Sequence, residues 1–235
     1  MSEANETGRR NKLQLGIFGA NMDGGMTATK APERFHLTWP NVVRVAQMAD
    51  EAGIEAMLPM MRWKSMGGET DFHGASYEPF TWAAGLSAVT NKSEIFSTMH
   101  IFAVHPLMAA KHMATIDHIS NGRYGFNLVC GWNGPEYGMF GTEMPEHDKR
   151  YAYAAEWLEI VKRLWTSEEP FDYDGEFFQL KQVQMKPKPI HPPRIMNAGA
   201  SATGARFAAQ HADIAFIGVL EHESEEQKRA NVDRL

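Results

Sequence analysis

The chain has 235 residues, 43% of them hydrophobic and 22% charged, and carries a formal net charge of −6. This globular balance excludes a disordered or collagen-like chain, and with no basic stretch longer than two residues it argues against a nucleic-acid partner. The single cysteine, Cys130, excludes an internal disulfide framework, and the longest apolar run, Ile214–Leu220, falls far short of the roughly 18 residues that span a membrane.

Met1–Lys12 reads as a flexible polar leader. Its Arg9-Arg10 pair is not followed by the continuous apolar core of an export signal, so a cytoplasmic protein is expected. Residues 13–235 are expected to form one domain in which strand-like and helix-like segments alternate. Leu13–Ala20 reads as a buried strand. Val42, Val45, Ala46, Ala49 and Ala52 then recur at helical spacing, and Gly53 supplies a C-terminal stop. Ala56–Met60 is a second strand, a helix is expected over about Pro79–Thr90, and Glu94–Phe102 is a third strand. Pro106 opens a helix that stops at Asn121-Gly122, and Tyr124–Cys130 is the fourth strand. After an irregular stretch, Gly131–Asp148, the stripe of Ala154, Trp157, Leu158, Val161, Leu164 and Trp165 marks a long amphipathic helix. Phe171–Gln184 reads as a β-hairpin turning at Asp174-Gly175, followed by a stiff connector containing Pro187, Pro189, Pro192 and Pro193. Arg194–Asn197, Ser201–His211, Ile214–Val219 and Glu223 onward then read as strand, helix, strand and helix.

Such alternation implies a parallel sheet with helical crossovers, either an open doubly wound sheet or a closed barrel. The loop after the first strand, Asn21–Gly25, lacks the glycine spacing of a dinucleotide-binding turn. Polar and aromatic residues gather instead at the carboxyl ends of several strands. The expected fold class is therefore α/β, a (β/α)8 TIM barrel with about six of the eight strand–helix units present.

Four clusters offer chemistry. Met61 and Arg62, after the second strand, read either as a solvated barrel rim or as the border of a flat aromatic ligand, with Arg62 donating to a ring carbonyl. Thr98 and Asn127 lie within apolar strands, where a polar side chain needs a ligand, a water or a protein partner. The Gly131–Tyr137 loop holds Glu136, and His147 beyond it reads equally as a proton carrier or a surface histidine. The small-residue turn Asn197–Ser201 suits a phosphate at a helix start, with Ser201 donating and Arg150 and Tyr151 closing over it; a plain N-cap explains Ser201 equally well. No metal-ligand spacing and no nucleophile motif occurs, which points to an organic cofactor rather than to protein-borne chemistry.

At these residues the chain resembles the bacterial-luciferase-like, flavin-dependent monooxygenases, nearest in pattern to the pyrimidine monooxygenase and dimethyl sulfone monooxygenase branches. The matching segments are Phe80-Thr81 with Ala88-Val89-Thr90, Ala114–Arg123, Asn127–Trp132, Glu146–Tyr151 and Asp174–Phe178. The resemblance implies a barrel that binds reduced FMN supplied by a separate NAD(P)H-dependent flavin reductase, with O2 as co-substrate. A flavin-peroxide then oxygenates a small polar molecule such as a sulfone or a nitrogen heterocycle. It implies FMN contacts at Met61, Arg62, Asn127, Glu136, Arg150, Tyr151 and Ser201. It also implies that Thr98 and Asn127 flank the oxygen-reacting face of the ring; with His147, the proton-carrier candidate of the residue reading, they make up the expected catalytic set. Trp63, Phe72, Phe102 and Trp132 are expected to keep that pocket dry. Arg62 replaces a lysine of the family pattern, and His100 stands where the pyrimidine branch has a small residue. The resemblance further implies a homo-oligomer. Alternatives that keep the fold are a deazaflavin (F420)-dependent oxidoreductase and a non-catalytic flavin-binding subunit. Since such a barrel takes ~250 residues, the chain is expected to be an incomplete piece, truncated at its C-terminus, of a longer enzyme.

Overall fold

The computed structural model describes residues 14–216 and 224–233. The leader expected over 1–12, residues 217–219 of the expected last strand and residues 234–235 of the terminal helix lie outside the described residues. Parallel pairing joins β1 (Gly16–Phe18), β2 (Ala56–Leu58), β3 (Glu94–His100), β4 (Tyr124–Val129), β7 (Arg194–Asn197) and β8 (Ile214–Ala215), in that order, into one six-stranded sheet. Between β4 and β7 an antiparallel pair, β5 (Phe171–Asp174) and β6 (Gln179–Val183), forms the expected hairpin. Its connecting residues are held by Glu156, whose carboxylate accepts from the amides of Phe177 and Phe178 at 3.1 and 2.8 Å.

The helices begin and end where local chemistry dictates. In α1 (Trp39–Ala52) the Thr38 hydroxyl caps the first turn, Pro40 sits where a missing N–H does no harm, and Gly53 closes the last turn at φ 81°. Pro79 and Pro106 open α2 (Pro79–Ser87) and α3 (Pro106–Ser120) in the same way, and Asn121 ends α3 in the left-handed region. One expectation is corrected: the stretch 131–148 is not wholly irregular. With Pro135 in its first turn it forms the short helix α4 (Gly134–Met139), which its glycines conceal from a periodicity reading. The long α5 (His147–Thr166) buries the predicted stripe from Ala154 to Trp165. α6 (Ala202–His211) and α7 (Glu225–Asp233) complete the set. Among the described residues no helix is long and apolar enough to cross a membrane.

Strand alternation sorts side chains into two layers. Ile95 and Met99 of β3 and Phe126 and Leu128 of β4 face the helices, joining Trp82, Met113 and Trp157 in the larger core. Toward the inside of the curl, Leu58, Phe96 and Met196 pack with Phe18, Ala56 and Ile214. The two end strands approach one another, for the ring of Phe18 lies 5.5 Å from that of Phe216, just past β8. Gly125 makes the inner layer possible, because a Cβ there would stand 2.5 Å from the Phe96 ring. Below this layer Arg194 Nε donates to Glu94 Oε1 at 2.8 Å, closing the amino end of the sheet. Above it stand Thr98, His100 and Asn127.

Asp50 ties α1 to the turn before β3: it is buried, and its carboxylate accepts the amides of Asn91, Lys92 and Ser93 at 3.0, 2.7 and 2.7 Å. Burial pushes its pKa up, but the three amides outweigh burial and hold it below the usual carboxylate value. A carboxyl lowered on folding contributes stability above its unfolded pKa, and that contribution is lost as pH falls through the folded value. Asp50→Asn places an NH2 against one of these amides. We expect it to cost about 1–3 kcal/mol at pH 7. In urea unfolding, the gap to wild type should narrow below about pH 4; an equal gap at both pH values would contradict this account.

Candidate active site

A cavity of about 360 Å3 opens at the carboxyl ends of the strands, lined among others by Met61, Arg62, Thr98, His100, Asn127 and Tyr151. This is the end at which parallel α/β barrels place their chemistry. Its first wall depends on Asn21, which is fully buried. The Asn21 amide donates to the carbonyls of Met60 and Tyr77 at 2.7 and 3.0 Å and accepts from Met60 N at 2.9 Å. Sequence reasoning passed over Asn21, because its partners lie 39 and 56 residues away and leave no local signal. Ser76 adds a second tie, donating to the Arg62 carbonyl at 3.0 Å.

Thr98 and Asn127 are register partners across β3 and β4. The Thr98 hydroxyl donates to the Pro59 carbonyl at 2.5 Å, so its oxygen is free only to accept, and it accepts a hydrogen bond from Asn127 Nδ2 at 3.3 Å. That chain of donors fixes the amide orientation and leaves Asn127 Oδ1 as a buried acceptor without a partner. Opposite stands Arg62, its guanidinium 4.4 Å from the centre of the Trp132 ring, with Nε and Nη1 buried and without a hydrogen-bond partner. Burial lowers the Arg62 pKa, and Glu136, 4.0 Å from Nη1, offsets part of that shift. Cys130 also borders the cavity, but burial pushes its thiol up to about 12, so it packs rather than reacts.

The other predicted site residues are distributed differently. Tyr151 reaches the cavity wall, where its hydroxyl crowds the α6 start: a Cβ on Gly204 would stand 2.5 Å from it, and one on Gly199 would stand 2.7 Å from Gly204 Cα. Ser201 is the N-cap of α6, accepting from Gly204 N at 3.0 Å. Thus a small-residue cradle and a helix N-terminus do meet a tyrosine at one end of the cavity. His147, in contrast, is not brought to Thr98 and Asn127. It heads α5, with Nδ1 2.8 Å from Asp148 Oδ1 and Nε2 3.1 Å from the Ser201 hydroxyl. Arg150 turns away from this cavity: it donates to the Gly131 carbonyl and borders a second space of about 180 Å3 with Phe102, Tyr137 and Tyr153. Glu136, without exposed surface, lies behind the wall rather than on it.

Of the aromatic residues expected to exclude water, Trp132 lines the cavity. Trp63 instead packs edge-on against Phe140, Phe102 stacks on Tyr137, and Phe72 lies tilted against His73. His73 carried no sequence signal. It is buried in a left-handed backbone conformation (φ 62°), and neither ring nitrogen has a partner. Among the described residues no group of three His, Cys, Asp or Glu side chains is placed to hold a metal ion.

A six-stranded, curled parallel sheet with a cavity at its carboxyl ends defines an α/β architecture of the barrel type. The family model for luciferase-like monooxygenases matches residues 13–235, and the chain belongs to that family. The chain is 34% identical over 207 residues to the pyrimidine monooxygenase RutA of Acinetobacter baylyi, an alignment covering 87% of this chain and 56% of that protein. It therefore spans little more than half the length of this relative. Among solved structures, that of riboflavin lyase RcaE with modified FMN and riboflavin superposes with a TM-score of 0.80 at 24% identity, covering 95% of this chain and 58% of the other. The long-chain alkane monooxygenase LadA gives 0.79 at 21% identity, covering 96% and 60%. These structural likenesses establish the TIM-barrel type of fold.

Proposed function

We propose that this chain carries the flavin site of an FMNH2- and O2-dependent monooxygenase that oxygenates a small polar organic substrate, a sulfone or a nitrogen heterocycle such as a pyrimidine. The observation that carries the reading is that a buried acceptor, Asn127 Oδ1, and the buried Arg62 donors Nε and Nη1 all lack a hydrogen-bond partner, on two residues lining one cavity. A planar ring bearing N–H and C=O groups complements that pattern, since each buried polar atom left unpaired is costly. At the other end the Gly199–Gly204 cradle, the Ser201 hydroxyl and Tyr151 suit a phosphate at a helix N-terminus. The similarity to pyrimidine monooxygenase supports the same reading.

Reduced FMN, when bound, supplies the electrons with which O2 is activated for oxygen transfer. The protein's part is to bind, orient and keep dry. Thr98, tied to Pro59, holds the Asn127 amide so that Oδ1 faces its ligand without rearranging. Met61, on the cavity wall, accepts from His100 N through its sulfur at 3.1 Å and fixes the β2 end against β3. Trp132 covers the Arg62 guanidinium and excludes water from it. His147 serves in this reading at the phosphate end, through Ser201, rather than as the proton carrier. Glu136 and Arg150 act on the FMN site from behind the wall, through Arg62 and through the Gly131 carbonyl. The reading includes a transient NAD(P)H-dependent flavin reductase as partner, a homo-oligomer and a cytoplasmic setting.

The test supplies the protein with FMNH2 from such a reductase in air, together with a panel of nitrogen heterocycles and alkyl sulfones. The expected result is substrate-dependent O2 uptake with an oxygenated product. Turnover with reduced deazaflavin and none with FMNH2 would replace this reading by hydride transfer.

A further inference from the structure

The histidine on the cavity wall is His100, only 2% exposed, and its Nδ1 lies 3.3 Å from Oε2 of Glu136, which has no exposed surface. Glu136 is held firmly. Its Oε1 accepts the amide hydrogens of Trp63 and Lys64 at 3.1 and 3.3 Å, leaving Oε2 to meet the imidazole. As oriented, the ring does not align a hydrogen bond, and neither Nδ1 nor Oε2 has another partner. The separation is already that of a hydrogen bond, so only ring orientation is left to change. Burial pushes the Glu136 pKa up, but His100 and the two amides outweigh it and keep the carboxylate ionised, able only to accept. Arg62 is the other charge facing it, with Nη1 4.0 Å from Oε1.

We infer that Glu136 is a positioning residue that holds His100 as its Nδ1–H tautomer, so that Nε2 presents a lone pair to the cavity and takes a proton from an N–H or O–H of the bound substrate. The carboxylate dictates the tautomer, since an acceptor-only group demands a donor at Nδ1. In the step, the substrate's N–H or O–H bond breaks, its electron pair stays on the heteroatom, and the proton joins Nε2. The resulting imidazolium faces Glu136, and the proton returns to product or solvent. The inference rests on the monooxygenase reading and narrows its substrate class. A small lactam, imide or hydroxylated heterocycle has the required proton, whereas a dialkyl sulfone offers only acceptor oxygens. It also moves the proton-carrying role from His147, which sits with Asp148 and Ser201 at the start of α5.

Nitrogen-15 NMR of the imidazoles, at a pH where the rings are neutral, tests this on the whole chain. Wild type should show His100 protonated at Nδ1. In Glu136→Gln the carbonyl must stay with the amides of Trp63 and Lys64, so an NH2 meets the ring and should switch the proton to Nε2. With FMNH2 bound anaerobically, uracil should shift the His100 Nε2 resonance and dimethyl sulfone should not. His100→Phe, which keeps the stacking on Phe102 but has no acceptor, should weaken uracil binding about tenfold, as for one lost hydrogen bond. An Nε2–H tautomer in wild type, a tautomer unchanged by Glu136→Gln, or a response to the sulfone rather than uracil would overturn the proposal. FMNH2 binding is read separately by absorbance. Its failure would remove the flavin reading, while the tautomer would still decide the role of Glu136.

Discussion

Asn127→Ala is expected to lower oxygenated product formation by about 10²–10³-fold, the usual consequence of deleting one preorganised hydrogen-bonding group at a reacting centre. The substitution removes the acceptor Oδ1 and the donor that Thr98 now receives. The side chain contributes little to packing, since its neighbours along β4, Phe126 and Leu128, face the opposite layer. The Thr98 hydroxyl keeps its bond to Pro59, so no new buried donor is orphaned. Stability should therefore stay within about 1 kcal/mol of wild type. Asn127→Asp separates the two atoms: it retains an acceptor but loses the NH2 that meets Thr98. Steady-state product assays with urea unfolding of the same preparations provide the check. Full turnover in a folded Asn127→Ala protein would remove Asn127 from the site.

The largest stability effect is expected at Trp157. The side chain has no exposed surface, lies in the core between α5 and the sheet, and donates from Nε1 to the Val104 carbonyl at 2.9 Å. Trp157→Ala leaves a cavity and orphans that carbonyl, at a cost of about 3–5 kcal/mol. For a chain of this size each kcal/mol lowers the melting temperature by about 2–4 °C, so a drop of roughly 6–20 °C is expected in thermal denaturation. Trp157→Phe restores most of the volume and should recover most of the loss, leaving about 1 kcal/mol for the missing bond. A fall of under about 3 °C for the alanine variant would mean that α5 does not anchor the core as described.

How much of this was legible beforehand follows from the range of the interactions. Helix limits such as Pro106 and Asn121-Gly122 are set by neighbouring residues and read off directly. Alternation makes one residue in two of β3 and β4 face inward, but that the inner Thr98 and Asn127 pair directly, above Phe96 and Gly125, is set by the strand register, which no local pattern encodes. α4 escaped because a helix of six residues is too short for a period to show. The site was legible in its residue types but not in its connectivity. Glu136, Arg150 and His147 are near the cavity, yet their partners are Trp63, Gly131 and Ser201, set by the path of separate loops. No spacing rule encodes those pairings, nor the Asn21 clamp on Met60. His100 was noticed as bulk in the cavity, while its contact with Glu136 emerges only when β3 and α4 are brought together.

Anaerobic titration of FMNH2 into the purified chain, followed by absorbance, tests the central claim most directly. The account predicts saturable binding of one flavin per chain, weakened about tenfold or more when Asn127 is replaced by Ala, as for one lost hydrogen bond. A folded chain that binds no FMNH2, or binds it equally well without the Asn127 side chain, would contradict it.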